Sequence, residues 1–125
     1  MKIRVYYEET DLGGIVYHTN YIKYCERARS EIFFQKEIMP TLGENSGFVV
    51  RKIDADFLST STLGDILTVT TTLKRLKNSS VVLVQEIWKD KIKVFSMQIV
   101  LIYVEEGKPT RIPSVFKEIL INIPQ

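Results

Sequence analysis

Strict alternation opens the chain. In "KIRVYY", Ile3, Val5 and Tyr7 fall on one face, and the spacing predicts a first strand. The period then lengthens. Tyr21, Cys25, Ala28 and Ile32, reinforced by Ile22 and Phe33, follow helical spacing, while Lys23, Glu26, Arg27 and Glu31 fall mostly on the other side. This predicts one long helix reaching about residue 36 and capped by Thr19 or Asn20. "MPTLGENSG" ends the region with Pro, Gly and Asn. Four further strands are predicted at roughly 48–58, 66–76, 81–89 and 93–104, separated by "STSTLGD", "KNSS" and "KDK". Leu67, Val69, Thr71 and Leu73 share a face of the third strand. Phe95, Met97, Ile99, Leu101 and Tyr103 share a face of the last. The other face of that strand carries Val94, Val100, Ile102 and Val104, so it is expected either to lie beneath another layer or to form a subunit interface. Beyond "EEGKPTRIP", Ser114 is expected to cap a short helix bearing Val115, Phe116, Ile119 and Leu120. One strand, one long helix and an antiparallel meander define an α+β class, with a single helix covering a broad sheet.

Composition narrows the function classes. The chain has 125 residues, 45% of them hydrophobic and 26% charged, enough for one domain with a real core. No linker, repeat or low-complexity segment divides it, so one domain over 1–125 is expected. Seventeen basic residues against fifteen acidic ones leave a net charge of only +2, which disfavours nucleic acid as a partner. "MKIRVYYEE" lacks a signal-peptide core, and "IVLIYV" is too short to cross a bilayer, so no membrane insertion is expected. One cysteine allows no internal disulfide, and cytoplasmic residence is expected.

Chemistry concentrates in "ETDLGGIVYHTNY", residues 9–21, which carries Asp11, paired glycines and the only histidine just ahead of the helix. Residue types alone leave two readings open. Asp followed by Leu-Gly-Gly is a common turn signature; equally, glycines let a ligand approach bare backbone beside a carboxylate. His18 is by itself either a satisfied structural group or a proton carrier. A thiol mechanism fails on distance: seven residues of helix separate His18 from Cys25 by about 10 Å. Cys25 falls on the apolar stripe and is expected to be a buried packing group. One His and one Cys offer no metal-ligand cluster, and no cofactor is expected.

"RVYYEETDLGGIVYHTNYIKYCERARSEIF", residues 4–33, resembles the opening of hotdog-fold acyl-CoA thioesterases of the 4-hydroxybenzoyl-CoA thioesterase family. Within that family it is most similar to the bacterial enzymes associated with the Tol-Pal envelope system. Asp11, Gly14, Tyr17, His18, Asn20 and Tyr21 match the motif. The stretch "ADFLSTSTLGD" matches less closely, because many relatives carry a proline before the Gly-Asp pair. The resemblance implies a curved antiparallel sheet wrapped around the long helix, with active sites shared across a homodimer that often pairs into a homotetramer. It implies hydrolysis of an acyl-CoA, with Asp11 as general base or nucleophile and the backbone N–H at His18, at the helix start, facing the thioester oxygen. The substrate is the implied partner; acyl carrier protein thioesters, or a non-enzymatic role with the envelope system, are the alternatives. Tyr7, Gly14 and Asn20 are expected at the substrate or in its turn, and Ser59 and Thr60 on the pantetheine path by analogy with the family.

Two further groups stay open between roles. Lys74, Arg75 and Lys77 in "LKRLKNSS" form either a grip for coenzyme A phosphates or a solvated hairpin that blunts a strand edge. Phe33, Phe34 and Met39 either shape an acyl pocket or belong to the core.

Overall fold

The computed structural model describes residues 1–124; Gln125, the last residue of the expected domain, lies outside the described residues. Six strands form one antiparallel sheet: β1 (Lys2–Arg4), β2 (Ser46–Phe57), β3 (Ile66–Leu76), β4 (Ser80–Lys89), β5 (Ile92–Glu105) and β6 (Lys108–Pro109). Their spatial order is β1-β3-β4-β5-β2, with β6 paired to β5. The long helix α1 spans Thr19–Phe34, and a short α2 spans Ser114–Ile121. Every predicted element is present, and the long strands agree with prediction to within three residues at each end; in β3, β4 and β5 the alternation of buried and open positions is regular.

The sheet turns one face onto α1. Leu67, Val69 and Leu73 from β3, Val81, Leu83 and Ile87 from β4, and Phe95, Met97, Ile99, Leu101 and Tyr103 from β5 are all buried in one core with Tyr21, Tyr24, Cys25, Ala28 and Phe33 of the helix. Thr71 shares the inward face but is only half-buried, where it accepts a hydrogen bond from Gln85. Gln85 is fully buried and polar. It donates from Nε2 to the Cys25 carbonyl and to Thr71 Oγ1, both at 3.0 Å, and accepts from Arg29 at 2.9 Å. These three bonds hold the middle of α1 to β3 and β4, and leave no buried polar atom of Gln85 without a partner. α2 closes the far end of the core with Phe116, Ile119 and Leu120.

The second face of β5 is apolar, as expected, but β5 is an interior strand between β4 and β2. Val100, Ile102 and Val104 are half-buried and continue across the ladders, where Val82 lies opposite Val100 and Val49 opposite Ile102. The sheet ends at β1, only three residues long, and at β2, which gives the long free edge. β2 pairs with β5 alone among the described strands, bulges at Arg51, and exposes Val49, Val50 and Phe57 by about half.

Three local expectations are corrected. The first strand stops at Arg4, so Tyr7 is not on its inward face. It begins a 3-10 turn over Tyr7–Glu9 and is 80% exposed. Neither Thr19 nor Asn20 caps α1: both are already its first residues, His18 is the capping position and makes no side-chain cap bond, and the Asn20 amide donates instead to the Glu9 carbonyl at 2.9 Å. Ser114 is the first residue of α2 rather than its cap; Pro113, already locked near helical φ, precedes it.

Candidate active site

Asp11 lies in a closed loop. Thr10 and Val16 bridge across its base, the Asp11 N–H donates to the Ile15 carbonyl at 2.9 Å, and the Gly14 N–H donates to the Asp11 carbonyl at 3.0 Å. Gly14 has φ +79°, a left-handed value that glycine adopts without strain. Gly13 serves differently. Its N–H donates to Asp11 Oδ1 at 2.8 Å, and a Cβ there would stand 3.3 Å from that same oxygen. One glycine turns the chain; the other clears space for the carboxylate. Asp11 itself is exposed, and its second oxygen accepts no bond from the described residues.

The loop is fastened on two sides. Toward the sheet, the Val16 N–H donates to the Ser61 carbonyl at 2.8 Å, and Ile15 bridges Thr62 in the turn between β2 and β3. That turn is stiffened by Asp65, whose Oδ2 accepts from the Thr62 N–H at 2.8 Å and pairs with Lys89 at 3.0 Å. Burial pushes the Asp65 carboxyl up, but the Thr62 N–H and the Lys89 charge outweigh it and hold the group below the ordinary carboxylate range. Toward the helix, the Tyr17 N–H donates to the Glu9 carbonyl at 3.0 Å.

The start of α1 is fixed by Tyr21. Its ring stacks on Phe95 at 5.4 Å, and its hydroxyl donates to Ser61 Oγ at 3.2 Å. His18, just ahead, lays its ring against Tyr17 at 4.5 Å and edge-on to Phe57 at 5.9 Å. The His18 N–H finds no acceptor among the described residues. An open N–H at the N-terminus of a sixteen-residue helix, with the macrodipole behind it, is suited to a developing negative charge.

Asp11, Gly14, His18, Asn20, Ser59 and Thr60 are thus gathered at one end of the sheet. Ser59 and Thr60 are exposed between the end of β2 and the turn that holds Val16, and the Ser59 N–H shares the Val94 carbonyl with Leu58. Tyr7 is close in chain, its carbonyl accepting from Thr10, while its side chain is open to solvent. Asn20 spends its amide on Glu9. Lys74, Arg75 and Lys77 are not brought to this end. β3 leaves the Asp65 turn at Ile66, and Lys74 lies eight residues along it, about 26 Å at 3.3 Å per residue. Lys74 there donates to Gln98.

A cavity of about 660 Å³ runs between α1 and β2, from Thr19 past Ile22, Ile53 and Leu83 to Phe33 and Phe48. Thr19, one residue from His18, is part of its lining. Phe33 lines it, whereas Phe34 and Met39 do not and are largely exposed. Cys25 is fully buried, and burial pushes its thiol up to about 12, which keeps it protonated and unreactive.

One residue in this region escaped sequence reasoning. Glu9 is buried, and its carboxylate takes the Tyr6 N–H, the Tyr24 hydroxyl and Arg27. Acids flank the turn at Glu8, Glu9 and Asp11, so type alone did not distinguish the buried one. The available signal was Tyr24 and Arg27, three apart on one face of the helix.

A curled antiparallel sheet holding one long helix, with an acid loop at the helix N-terminus, is the hotdog architecture. The sequence profile of the Thioesterase superfamily matches residues 13–96, and the chain belongs to that superfamily. It is 44% identical to the "Acyl-CoA thioesterase YbgC" of Helicobacter pylori, over 96% of this chain and 98% of that protein. It is 39% identical to the "Acyl-CoA thioester hydrolase YbgC" of Escherichia coli O157:H7, over 68% of this chain and 65% of the other. Among solved structures, a probable thioesterase from Bartonella henselae superposes with a TM-score of 0.84 at 31% identity, covering 90% of this chain and 97% of that one.

Proposed function

We propose that this protein is an acyl-CoA thioesterase in which Asp11 activates or supplies the nucleophile and the His18 N–H receives the charge on the carbonyl oxygen. The observation that carries the reading is the pairing of an exposed, half-occupied carboxylate with an unoccupied helix N-terminal N–H on one hydrogen-bonded framework. As base, Asp11 takes a proton from water, and the water oxygen attacks the thioester carbon. As nucleophile, Asp11 attacks directly to form a mixed anhydride that water then opens. On either route the tetrahedral oxyanion faces the helix start, collapse expels coenzyme A as its thiolate, and the acid is freed. The His18 ring is a second proton carrier in this reading, and Gly14, Ser59 and Thr60 border the thioester and pantetheine.

The cavity supports the binding of an acyl group. Thr19, the residue after His18, is part of its lining, its walls are mainly apolar, and its volume is within the ordinary range for small-molecule sites. The free edge of β2 and the apolar outer face around Val82, Val100 and Ile102 support a homodimer or homotetramer. The span along β3 from the Asp65 turn to Lys74 supports the solvated-hairpin role for Lys74, Arg75 and Lys77 over phosphate contact within the same protomer. We place the protein in the cytoplasm as a single hotdog domain; no helix among the described residues is long and apolar enough to cross a membrane.

Steady-state hydrolysis of an acyl-CoA panel, aliphatic and aromatic, tests the reading. Turnover of at least one member supports it. Inactivity toward every acyl-CoA with turnover of acyl carrier protein thioesters would move the substrate class, and inactivity toward both would leave a binding role in the cell envelope.

A further inference from the structure

Glu9 accepts five hydrogen bonds, four of them from the helix or the chain leading into it. Its carboxylate, only 5% exposed, accepts from the Tyr24 hydroxyl at 3.0 Å and from Arg27 at 3.3 Å, and also takes the Tyr6 N–H at 2.9 Å. Its carbonyl takes the Tyr17 N–H at 3.0 Å and the Asn20 amide at 2.9 Å. Asp11, two residues on, bonds only within its own loop: to Gly13, Gly14 and Ile15. The loop is internally rigid, so where it stands against the helix depends on what grips its base. On the helix side that grip is Glu9. A buried carboxylate is costly unless charge and hydrogen bonds meet it, and here both oxygens are met. Burial, followed by the hydrogen bond to Glu9, pushes the Tyr24 phenol upward, so it remains a donor at working pH.

We infer that Glu9 is a positioning residue: through Tyr24, Arg27, Tyr17 and Asn20 it sets the separation between the Asp11 carboxylate and the His18 N–H. This rests on the assignment of Asp11 above. An error of about 1 Å between reacting groups is able to cost on the order of 100-fold in rate, so a slackened grip is felt in kcat before it is felt in substrate binding.

The test is a double-mutant cycle on the full chain, using the acyl-CoA turned over best. Glu9→Gln keeps the side-chain volume and one acceptor oxygen but places an amide against Arg27. The expected result is a kcat lower by about 10-fold or more with KM within about 3-fold, on a protein of unchanged melting and assembly. Glu9→Gln added to Asp11→Asn should then lower the residual rate by less than about 2-fold, because the group it positions is already gone. Tyr24→Phe, which keeps the ring and removes one grip, should show the same kcat-weighted loss in smaller measure; it decides the matter if Glu9→Gln does not assemble. Wild-type kcat in the deciding variant, or a full loss that repeats in the Asp11→Asn background, overturns the inference while leaving Asp11 in place. Near-normal turnover of Asp11→Asn alone overturns the site assignment, and this inference with it.

Discussion

Adjacent glycines should give opposite signatures when each is changed to alanine. Gly14 has φ +79° and open space around its missing Cβ, so Gly14→Ala meets no neighbour and costs only backbone strain, about 1–2 kcal/mol. Gly13 lacks a positive φ, so alanine is conformationally acceptable there and restricts the unfolded chain, a gain of about 0.4–1 kcal/mol. The new methyl, however, stands 3.3 Å from Asp11 Oδ1, closer than ordinary van der Waals contact. The carboxylate must yield by a few tenths of an ångström. Scaled from about 100-fold for 1 Å, that displacement should lower kcat by about 3- to 10-fold. Thermal melts and acyl-CoA steady-state rates on the two variants at matched protein concentration read both effects. Gly13→Ala is expected to be as stable as wild type or more so, and slower; Gly14→Ala is expected to be less stable than wild type. A Gly13→Ala variant with wild-type kcat would refute the assignment of that glycine to clearance for the carboxylate.

Cys25→Ala should retain most turnover and lose about 1 kcal/mol in a urea melt, because the buried thiol packs and does not react; loss of rate in a normally assembled protein would revive a thiol mechanism. Asp65 has a folded pKa below its unfolded value of about 3.9, so its stabilisation is complete above that value and is lost as pH falls through the folded one. The stability difference between wild type and Asp65→Asn should therefore shrink as pH falls below about 4 in acid unfolding curves, and a constant difference would contradict the role of that carboxylate in the turn. Sedimentation at micromolar concentration should show a dimer or larger, given the free β2 edge and the apolar outer face; a stable, active monomer would count against a shared site.

The meander was readable because β3, β4 and β5 each bury one face, and a period of two survives twist and bulge. The Arg51 bulge was not read, since Arg51 and Lys52 interrupt the apolar positions and leave no alternation there against which an inserted residue would show. The start of α1 was readable to within two residues, but its cap was not: Thr19 and Asn20 have the right chemistry for capping, yet the helix already includes both, and the Asn20 amide donates to the Glu9 carbonyl eleven residues upstream. Tyr7 shows the same limit. Alternation continued past Arg4, but the 3-10 turn rotated the chain and left that ring in solvent. Asp11, the glycines and His18 stood out as residue types in a local motif. The partners that hold them, Ser61, Thr62 and Glu9, are set by tertiary contacts across the sheet and helix, which local spacing does not encode.

The central claim is that Asp11 carries the chemistry, and Asp11→Asn measures it most directly. Asparagine keeps the side-chain oxygen that receives the Gly13 N–H, so the loop should persist, but it is neither a base nor a competent nucleophile. Turnover and the affinity of a non-hydrolysable acyl-CoA analogue are measured together on a variant whose melting and assembly match wild type. The account predicts a fall of about 100-fold or more in turnover with analogue affinity within a few-fold, because the His18 N–H remains. Near-normal turnover in that variant would contradict it.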